Sequence, residues 1–336
     1  MRNILLLTGI LAMLFTGCSS PPARVDLFWP PPPEQPRVQY VGEFKDDKYL
    51  GESFFKSFLG ALVGEEEAKG LVKPYGVAAD TAGRVYVTDT GLNHVVVFDV
   101  VEKVIRGIGD GGQGKLNVPT GITIARDRLV VTDTGLKRVM MYTLRGDFLT
   151  ALGREGEFES PSGVAYDEST DRLYVVDSKK HQVMVYSTRG EFQFSFGERG
   201  GDSTKFNFPT NLAVKHGKVY VMDTMNFRVQ IFDLAGKFVG MFGSPGNRPG
   251  NFSRPKGIGV SSDGYVFVVD AAYSNFQIFD EHGQVYLFVG GLGSEPGTFN
   301  LPAGMFVDPN DRIYVVDQLN ARVEIFQYLQ SDGTSE

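Results

Sequence analysis

Hydrophobic residues in most of this chain occur in short runs rich in Val, Ile, Tyr and Phe, which Gly, Asp, Asn and Pro separate. The runs do not keep the apolar spacing of 3.6 residues that an amphipathic helix requires. Many, such as 173–176, are continuously apolar and do not alternate with polar residues. A strand covered on both faces has this pattern, so the sequence predicts short strands in small sheets with neighbours on both sides.

One of these segments, 131–142, returns five more times. Each copy has an aspartate at the end of an apolar run, at Asp89, Asp133, Asp177, Asp223, Asp270 and Asp317. Each is preceded by Pro-x-Gly, or by Pro-Thr-Asn in one copy, starting at Pro74, Pro119, Pro161, Pro209, Pro255 and Pro302. Successive prolines are 45, 42, 48, 46 and 47 residues apart, which is the period of a propeller blade of four strands. The predicted fold is an all-β, six-bladed β-propeller.

The ring is expected to close through its N-terminal side. The sixth repeat stops after a third strand near Leu329, whereas residues 37–44 resemble the last strands of other repeats, such as 190–197 and 236–243. An open ring would leave unpaired strand edges. We therefore expect 37–44 to supply the outer strand of the last blade, within a propeller domain of residues 37–330.

The first residues have the features of an export signal. Arg2 precedes an apolar run that is too short to span a bilayer, and Leu14-Phe15-Thr16-Gly17-Cys18 follows. This segment resembles a bacterial lipoprotein signal peptide, which implies removal of residues 1–17 and lipidation of Cys18. In such lipoproteins, a serine at the position of Ser19 implies sorting to the outer membrane. The alternative is a plain secretory signal with an incidental cysteine. Cys18 is the only cysteine, so the chain forms no internal disulfide.

Three further segments complete the organisation. Residues 18–36 are rich in proline and are expected to form an extended tether outside any sheet, with Trp29 facing either lipid or the propeller. Residues 45–73 form an insertion with a possible short amphipathic helix, which either packs on the propeller or docks on a membrane or partner. The six repeats occupy 74–330, and 331–336 is a polar tail.

The repeat pattern resembles a known family. The pattern is Gly-x-Phe-x-x-Pro-x-Gly, then apolar-x-Asp-Thr, and then Asn or Arg before a Val-x-Ile-Phe strand. It is similar to the NHL repeat of six-bladed propellers, over about three quarters of the chain. The resemblance implies an interaction platform. Related propellers also include a zinc-dependent amidating lyase, calcium-dependent lactonases and nucleic-acid-binding proteins. The export signal and the net charge of -7 argue against a nucleic-acid partner.

The aspartates have two possible roles. Antiparallel pairing places them on the same face as the Pro-x-Gly motifs, hereafter the motif face. They could form a ring of acids for a metal or a base. Alternatively, each caps its turn and pairs with the residue five positions later. Recurrence in every blade favours structural turns, with the partners His94, Arg138, Gln182, Arg228, Asn275 and Arg322.

Residues that break the symmetry of the motif face are the candidates for a binding site, because a ligand on the axis meets them first. They occupy the Pro-x-Gly motifs and comprise Tyr75, Thr120, Ser162, Thr210, Asn211, Lys256 and Ala303. The sequence supports no catalytic residue, metal ligand or cofactor, because it has only four histidines, of which His216 and His282 fall on the opposite face. It also contains no nucleophile elbow, P-loop or dinucleotide-binding motif.

These observations lead to two hypotheses. The first is a monomeric, non-catalytic, lipid-anchored propeller of the cell envelope that binds an envelope protein or a ligand through the motif face. The alternative is a metal-dependent lyase, or a lactone or ester hydrolase, with a divalent ion on the axis. The fold does not distinguish them.

Overall fold

The computed structural model of the protein describes residues 26–46 and 70–330 of the chain. In these residues, antiparallel strands form six sheets, the blades. Two strands precede the repeats, β1 (Phe28–Trp29) and β2 (Val38–Phe44). The signal segment, Cys18, most of the insertion and the tail lie outside the described residues. No helix in the described part is long and apolar enough to cross a membrane.

The repeats supply the remaining strands, which follow one another in each blade from the axis outward. Blade 1 contains β3 (Pro74–Ala79), β4 (Val85–Asp89), β5 (His94–Asp99) and β6 (Val104–Ile108). Blade 2 contains β7 (Pro119–Ala125), β8 (Arg128–Asp133), β9 (Arg138–Thr143) and β10 (Phe148–Leu152). Blade 3 contains β11 (Pro161–Asp167), β12 (Arg172–Asp177), β13 (Gln182–Ser187) and β14 (Phe192–Phe196).

The second half of the ring repeats this plan. Blade 4 contains β15 (Asn211–Lys215), β16 (Lys218–Asp223), β17 (Arg228–Asp233) and β18 (Phe238–Phe242), with a 3-10 helix at Thr224–Asn226. Blade 5 contains β19 (Pro255–Val260), β20 (Val266–Asp270), β21 (Asn275–Phe279) and β22 (Val285–Gly290). Blade 6 contains β23 (Pro302–Val307), β24 (Arg312–Asp317) and β25 (Arg322–Tyr328). The first strands of neighbouring blades contact one another in a closed cycle, from β3 through β7, β11, β15, β19 and β23 back to β3.

Strand β2 completes blade 6, as the sequence predicts. It pairs antiparallel with β25, with Val38 opposite Tyr328 and Phe44 opposite Val323. The six-bladed propeller and its closure by the N-terminal strand are therefore confirmed.

The expectation that the whole proline-rich segment is a free tether is wrong for its last part. Strand β1 pairs with β2, and the Tyr40 N–H donates to the Leu27 carbonyl at 3.0 Å. Phe28 and Trp29 lie between Pro22 and Pro30, so their own N–H groups remain available for pairing. Trp29 packs edge-on against Phe326, with ring centroids 5.7 Å apart, so it contacts the propeller.

The core lies between blades, in six clusters of apolar side chains. The apolar residue three positions before each proline is buried in one of them, at Leu71, Leu116, Phe158, Phe206, Phe252 and Phe299. Burial of such a side chain contributes about 1.5–3 kcal/mol. Gly197, whose φ is +93°, precedes the linker and lies against the Phe206 ring, so a side chain there would clash. The buried apolar residue three positions before each proline therefore holds each linker between two blades.

Candidate functional site

The prolines and the aspartates lie together on the motif face. Pro74 is opposite Asp89, and Pro119 is opposite Asp133, in the register of the first two strands of their blades. The same register brings Pro302 opposite Asp317. The shared face expected from the sequence is thus present.

The aspartate carboxylates are occupied within their own turns. In blade 2, Asp133 accepts from the N–H groups of Asn117, Val118, Gly135 and Leu136, at 2.7–3.1 Å. All six aspartates are fully buried, and each accepts at least one backbone N–H. The carboxylates therefore serve as turn caps.

The predicted pairing with the residue five positions later holds for two arginines. Arg228 Nε lies 2.9 Å from Asp223, and Arg322 Nε lies 2.8 Å from Asp317. For Arg138 the prediction is wrong, because its guanidinium donates to the Gly153 carbonyl. The four backbone donors already occupy Asp133, so its turn does not need an arginine.

The glycines of the Pro-x-Gly motifs form the narrowest part of the channel, hereafter the neck. A Cβ on Gly121 would lie 2.6 Å from the Ser162 carbonyl oxygen and 2.8 Å from the Gly163 Cα. Since real Cβ atoms do not approach so closely, the first strands of blades 2 and 3 can converge here only because residue 121 is glycine. The neck consists of Gly76, Gly121, Gly163, Asn211, Gly257 and Gly304. Asn211 is the only one of these six residues with a side chain.

An axial cavity of about 220 Å³ extends from the neck toward the opposite face. Most of its wall is apolar, with residues such as Val164, Ile258 and Met305, and Lys215 lies at its far end. Of the sequence-predicted candidates, four line this cavity: Tyr75, Thr120, Ser162 and Asn211. Thr210, Lys256 and Ala303 do not line it.

Three of the candidates have roles inside the fold. The Thr120 hydroxyl lies 3.2 Å from the Thr132 hydroxyl, and the Thr210 hydroxyl lies 2.6 Å from that of Thr224. Ala303 is buried and belongs to the cluster between blades 6 and 1. These residues have satisfied or apolar side chains, so they offer little to a ligand.

Two candidates at the neck present polar groups without a protein partner. Ser162 Oγ is buried and makes no hydrogen bond. Asn211 Oδ1 accepts its neighbour's N–H, from Leu212, at 2.8 Å, and within the described residues nothing accepts from its Nδ2. Both residues line the same cavity, in adjacent blades.

Lys256 and Tyr75 meet above the neck. Lys256 Nζ lies 5.6 Å from the centroid of the Tyr75 ring. Blade 6 lies between them and presents Ala303, whose small side chain leaves room for this contact. Burial, together with the nearby charges of Arg254 and Lys73, lowers the pKa of Lys256 to about 8. Burial also raises the pKa of Tyr75, an effect that Arg254 opposes.

Lys73 and Arg254 are site residues that the sequence reasoning missed. Each directly precedes a Pro-x-Gly motif, and both are exposed. The signal was present, because the other repeats have Val118, Ser160, Phe208 and Leu301 at this position, none of them charged. Across residues 26–46 and 70–330, no carboxylate forms an ion pair with the side chain of Lys73, Arg254 or Lys256.

Other candidate chemistry is dispersed. A cavity of about 560 Å³ on the opposite face is lined by His216 and His282, but its Asp280 caps the turn that contains His282. On the motif face, His181 is buried and accepts the Phe208 N–H at 3.1 Å. The described part of the chain holds no group of three or more His, Cys, Asp or Glu placed to bind a metal ion.

Comparison with known proteins bears on the repeats and the fold. A family model of the NHL repeat matches residues 158–186, in blade 3. The chain is a six-bladed β-propeller, and the segment in blade 3 is similar to an NHL repeat. No curated protein matches this propeller in sequence.

Several solved structures share the fold. Virginiamycin B lyase from Staphylococcus aureus has 13% identity and a TM-score of 0.57, over 77% of this chain and 96% of the lyase. A gluconolactonase from Xanthomonas campestris has 15% identity and a TM-score of 0.60, over 88% and 99%. An auxiliary nutrient binding protein from Bacteroides thetaiotaomicron has 15% identity and a TM-score of 0.61, over 78% and 70%. At such identities the similarity establishes only the common propeller fold.

Proposed function

We propose that this propeller is a binding platform of the cell envelope that holds a protein partner on its motif face. The observation that carries the proposal is a set of exposed, large apolar side chains in the turns of that face. Their exposed fractions range from 39% to 60%, and they are Val72, Leu136, Phe208, Met225 and Leu319.

These side chains are held by ordered turns. Met225 donates its N–H to the Asn207 carbonyl at 3.0 Å, so it lies beside the segment that carries Phe208. The Phe208 ring packs edge-on against His181, with centroids 4.6 Å apart. Preordered apolar groups on a surface favour protein contact because little side-chain entropy is lost on binding. The buried aspartates keep the turns in place without contributing free carboxylates.

The second part of the proposal is attachment to the membrane through a lipid on Cys18, with the outer membrane as the location. Strand β1 fixes the chain to blade 6 at Phe28. The ten residue-to-residue steps from Cys18 to Phe28 can span at most about 35 Å, so the anchor would keep blade 6 close to the bilayer. Replacing Cys18 with Ala should move the protein from the membrane fraction to the soluble fraction. Retention of the variant in the membrane would contradict a lipid anchor.

Position-specific photo-crosslinking tests the platform. A photoreactive residue placed at Met225 or Leu319 should capture the same protein in intact cells, and Leu319→Asp should reduce capture from position 225. Val101 provides the control, because it is 67% exposed in a turn on the opposite face. Equal capture of that protein from position 101, or no specific product from either motif-face position, would overturn the platform.

The second candidate is an enzyme with a divalent ion on the axis. Two of the structurally similar proteins are a lyase and a gluconolactonase, and Lys256 has the lowered pKa that often occurs in active sites. Addition of Ca²⁺ or Zn²⁺ should then raise the melting temperature with one ion bound per chain. Stoichiometric metal binding without a crosslinked partner would favour this enzyme over the platform.

A further inference from the structure

Lys256, Tyr75, Ser162 and Asn211 bring unpartnered polar groups to one end of the axial channel. We propose that this mouth, on the motif face, binds a compact oxyanion, a carboxylate or a phosphate, with Lys256 as the main cationic contact. The inference rests on the proposed binding platform and names the chemical group that the platform would hold at its centre.

The first argument is charge. Lys73 and Arg254 lie near Lys256, and none of the three has an ion-pair partner in the described chain, although the protein as a whole has a net charge of -7. Asp89 and Asp270 lie in the same blades as these cations. Their carboxylates are buried and accept backbone N–H groups, including those of Lys73 and Arg254. They moderate the local potential but do not contact the side-chain cations.

The second argument is the hydrogen-bonding character of the neck. The Asn211 Nδ2, an amide NH₂ that only donates, has no acceptor in the described residues, whereas its Oδ1 accepts the Leu212 N–H. The hydroxyls of Ser162 and Tyr75 have no protein partner in the described structure and can donate to a ligand. An ammonium adds further donors and no acceptor. A ligand rich in acceptors matches this set.

The third argument is the free-energy cost of leaving the partly buried Lys256 ammonium without a counter-ion. Partial burial of an ammonium without a counter-ion is unfavourable, and it lowers the pKa of Lys256 to about 8. A bound oxyanion would restore the missing counter-charge through charge-assisted hydrogen bonds. Binding should therefore raise the pKa of Lys256. It should also weaken above about pH 8, where the free Lys256 loses its proton.

The test uses the full-length protein with ¹³C-methylated lysines, titrated with sodium phosphate or sodium acetate against sodium chloride of equal ionic strength. The Lys256 resonance, assigned by its loss in Lys256→Gln, should shift saturably with at least one oxyanion and titrate at higher pH in its presence. The phosphate and acetate arms distinguish the two ligand classes.

Variants provide the matched comparison. Lys256→Gln should reduce oxyanion affinity, measured by calorimetry, by about tenfold or more. Lys215→Gln removes the same charge at the far end of the axial cavity and should change affinity by less than about twofold. If both oxyanions act only as chloride does, or if affinity survives in Lys256→Gln, the proposal is wrong. Oxyanion binding without a photo-crosslinked partner would support this site and contradict the platform. A photo-crosslinked partner without oxyanion binding would support the platform and contradict this site.

Discussion

The turns of blades 2 and 6 use the same aspartate in different ways. Asp133 in blade 2 binds only backbone N–H groups. Asp317 in blade 6 binds one backbone N–H and two side chains, Asn320 at 2.6 Å and Arg322 at 2.8 Å. The aspartate is thus common to the repeats, but the groups that donate hydrogen bonds to its carboxylate differ between blades.

The reason lies in the linker that each turn faces. In blade 6 the preceding linker folds back, with Leu292 bridged to Phe299, and its carbonyls turn toward Arg322 and Asn320. In blade 4 the equivalent carbonyls likewise accept from Asn226 and Arg228. Buried carbonyls need donors, and in these two blades an arginine and an asparagine of the turn supply them. In blade 2 the Tyr142 hydroxyl donates to the linker carbonyl of Gly114 instead.

The largest expected effect comes from removing the blade 6 arginine. Arg322→Met leaves the carboxyl groups of Asp317, Glu324 and Glu43 without their shared cation, and the Thr298 carbonyl without its donor. We expect a loss of about 3–5 kcal/mol in the free energy of unfolding, measured with denaturant. Arg138→Met, which breaks one bond to the Gly153 carbonyl, should cost about 1 kcal/mol. Equal losses in both variants would show that the two turns do not differ energetically.

The next effect tests the backbone-capped turn. In Asp133→Asn, an amide NH₂ replaces one carboxylate oxygen and faces the N–H of either Asn117 or Gly135, so a buried donor loses its acceptor. The expected loss is about 1–3 kcal/mol in the free energy of unfolding. Leu136→Ser changes an exposed side chain in the same turn and should have little effect. If the asparagine variant were as stable as the parent protein, the four backbone bonds would not be important for stability.

The architecture was predictable from the sequence because the same pattern of strands and turns is present in every repeat. Spacing of the prolines and the apolar runs fixes the blade count, and the unpaired sixth repeat fixes the role of 37–44 as the closing strand. The pairing of β1 was not predictable, because proline content outweighed the two aromatic residues in the pattern. Trp29 joins the sheet because Phe326 and neighbouring rings provide an apolar surface for it.

The candidate site was only partly accessible to sequence reasoning. Broken symmetry in Pro-x-Gly drew attention to Tyr75 and Lys256, but their contact depends on the small Ala303 between them. Which hydroxyls are satisfied also depends on three-dimensional neighbours. Thr120 has Thr132 beside it, whereas Ser162 has no partner in the described residues.

A third prediction concerns Glu324, which occupies the position of Gln230 in blade 4. Gln230 accepts the Thr204 N–H and donates to the Lys205 carbonyl beside Arg228. Glu324 accepts the Gly297 N–H at 3.1 Å, and its Oε2 is buried without a partner. Burial and the neighbouring carboxylate of Asp317 raise the pKa of Glu324 to about 8, although Arg322 opposes this. Glu324→Gln should therefore stabilise blade 6 at pH 8, by about 1–2 kcal/mol.

The pH dependence of the folding stability determines the direction of this effect. Glu324 ionises near its ordinary pKa of 4.5 when unfolded but only near 8 when folded. The folded protein therefore binds one more proton between these values, and its stability falls as the pH rises through this interval. Glu324→Gln should remove that part of the fall, so the difference in melting temperature between variant and parent should grow from pH 5 to pH 8. A difference that is constant with pH would mean that Glu324 does not titrate in this range.

The smallest expected effect tests whether an ion pair helps to keep the propeller ring closed. Glu43, on the closing strand, lies 2.8 Å from Arg322, but its side chain is about one third exposed. Glu43→Gln keeps an acceptor for Arg322 and relieves repulsion among three carboxyl groups, so stability should change by less than about 1 kcal/mol. Phe44→Ala in the same strand removes a buried ring that lies 5.1 Å from Phe98, and it should cost about 3–5 kcal/mol. Denaturant unfolding of both variants would then show that apolar burial, together with the β2–β25 pairing, holds the ring closed. A larger loss in Glu43→Gln than in Phe44→Ala would instead assign closure to the charge network of blade 6.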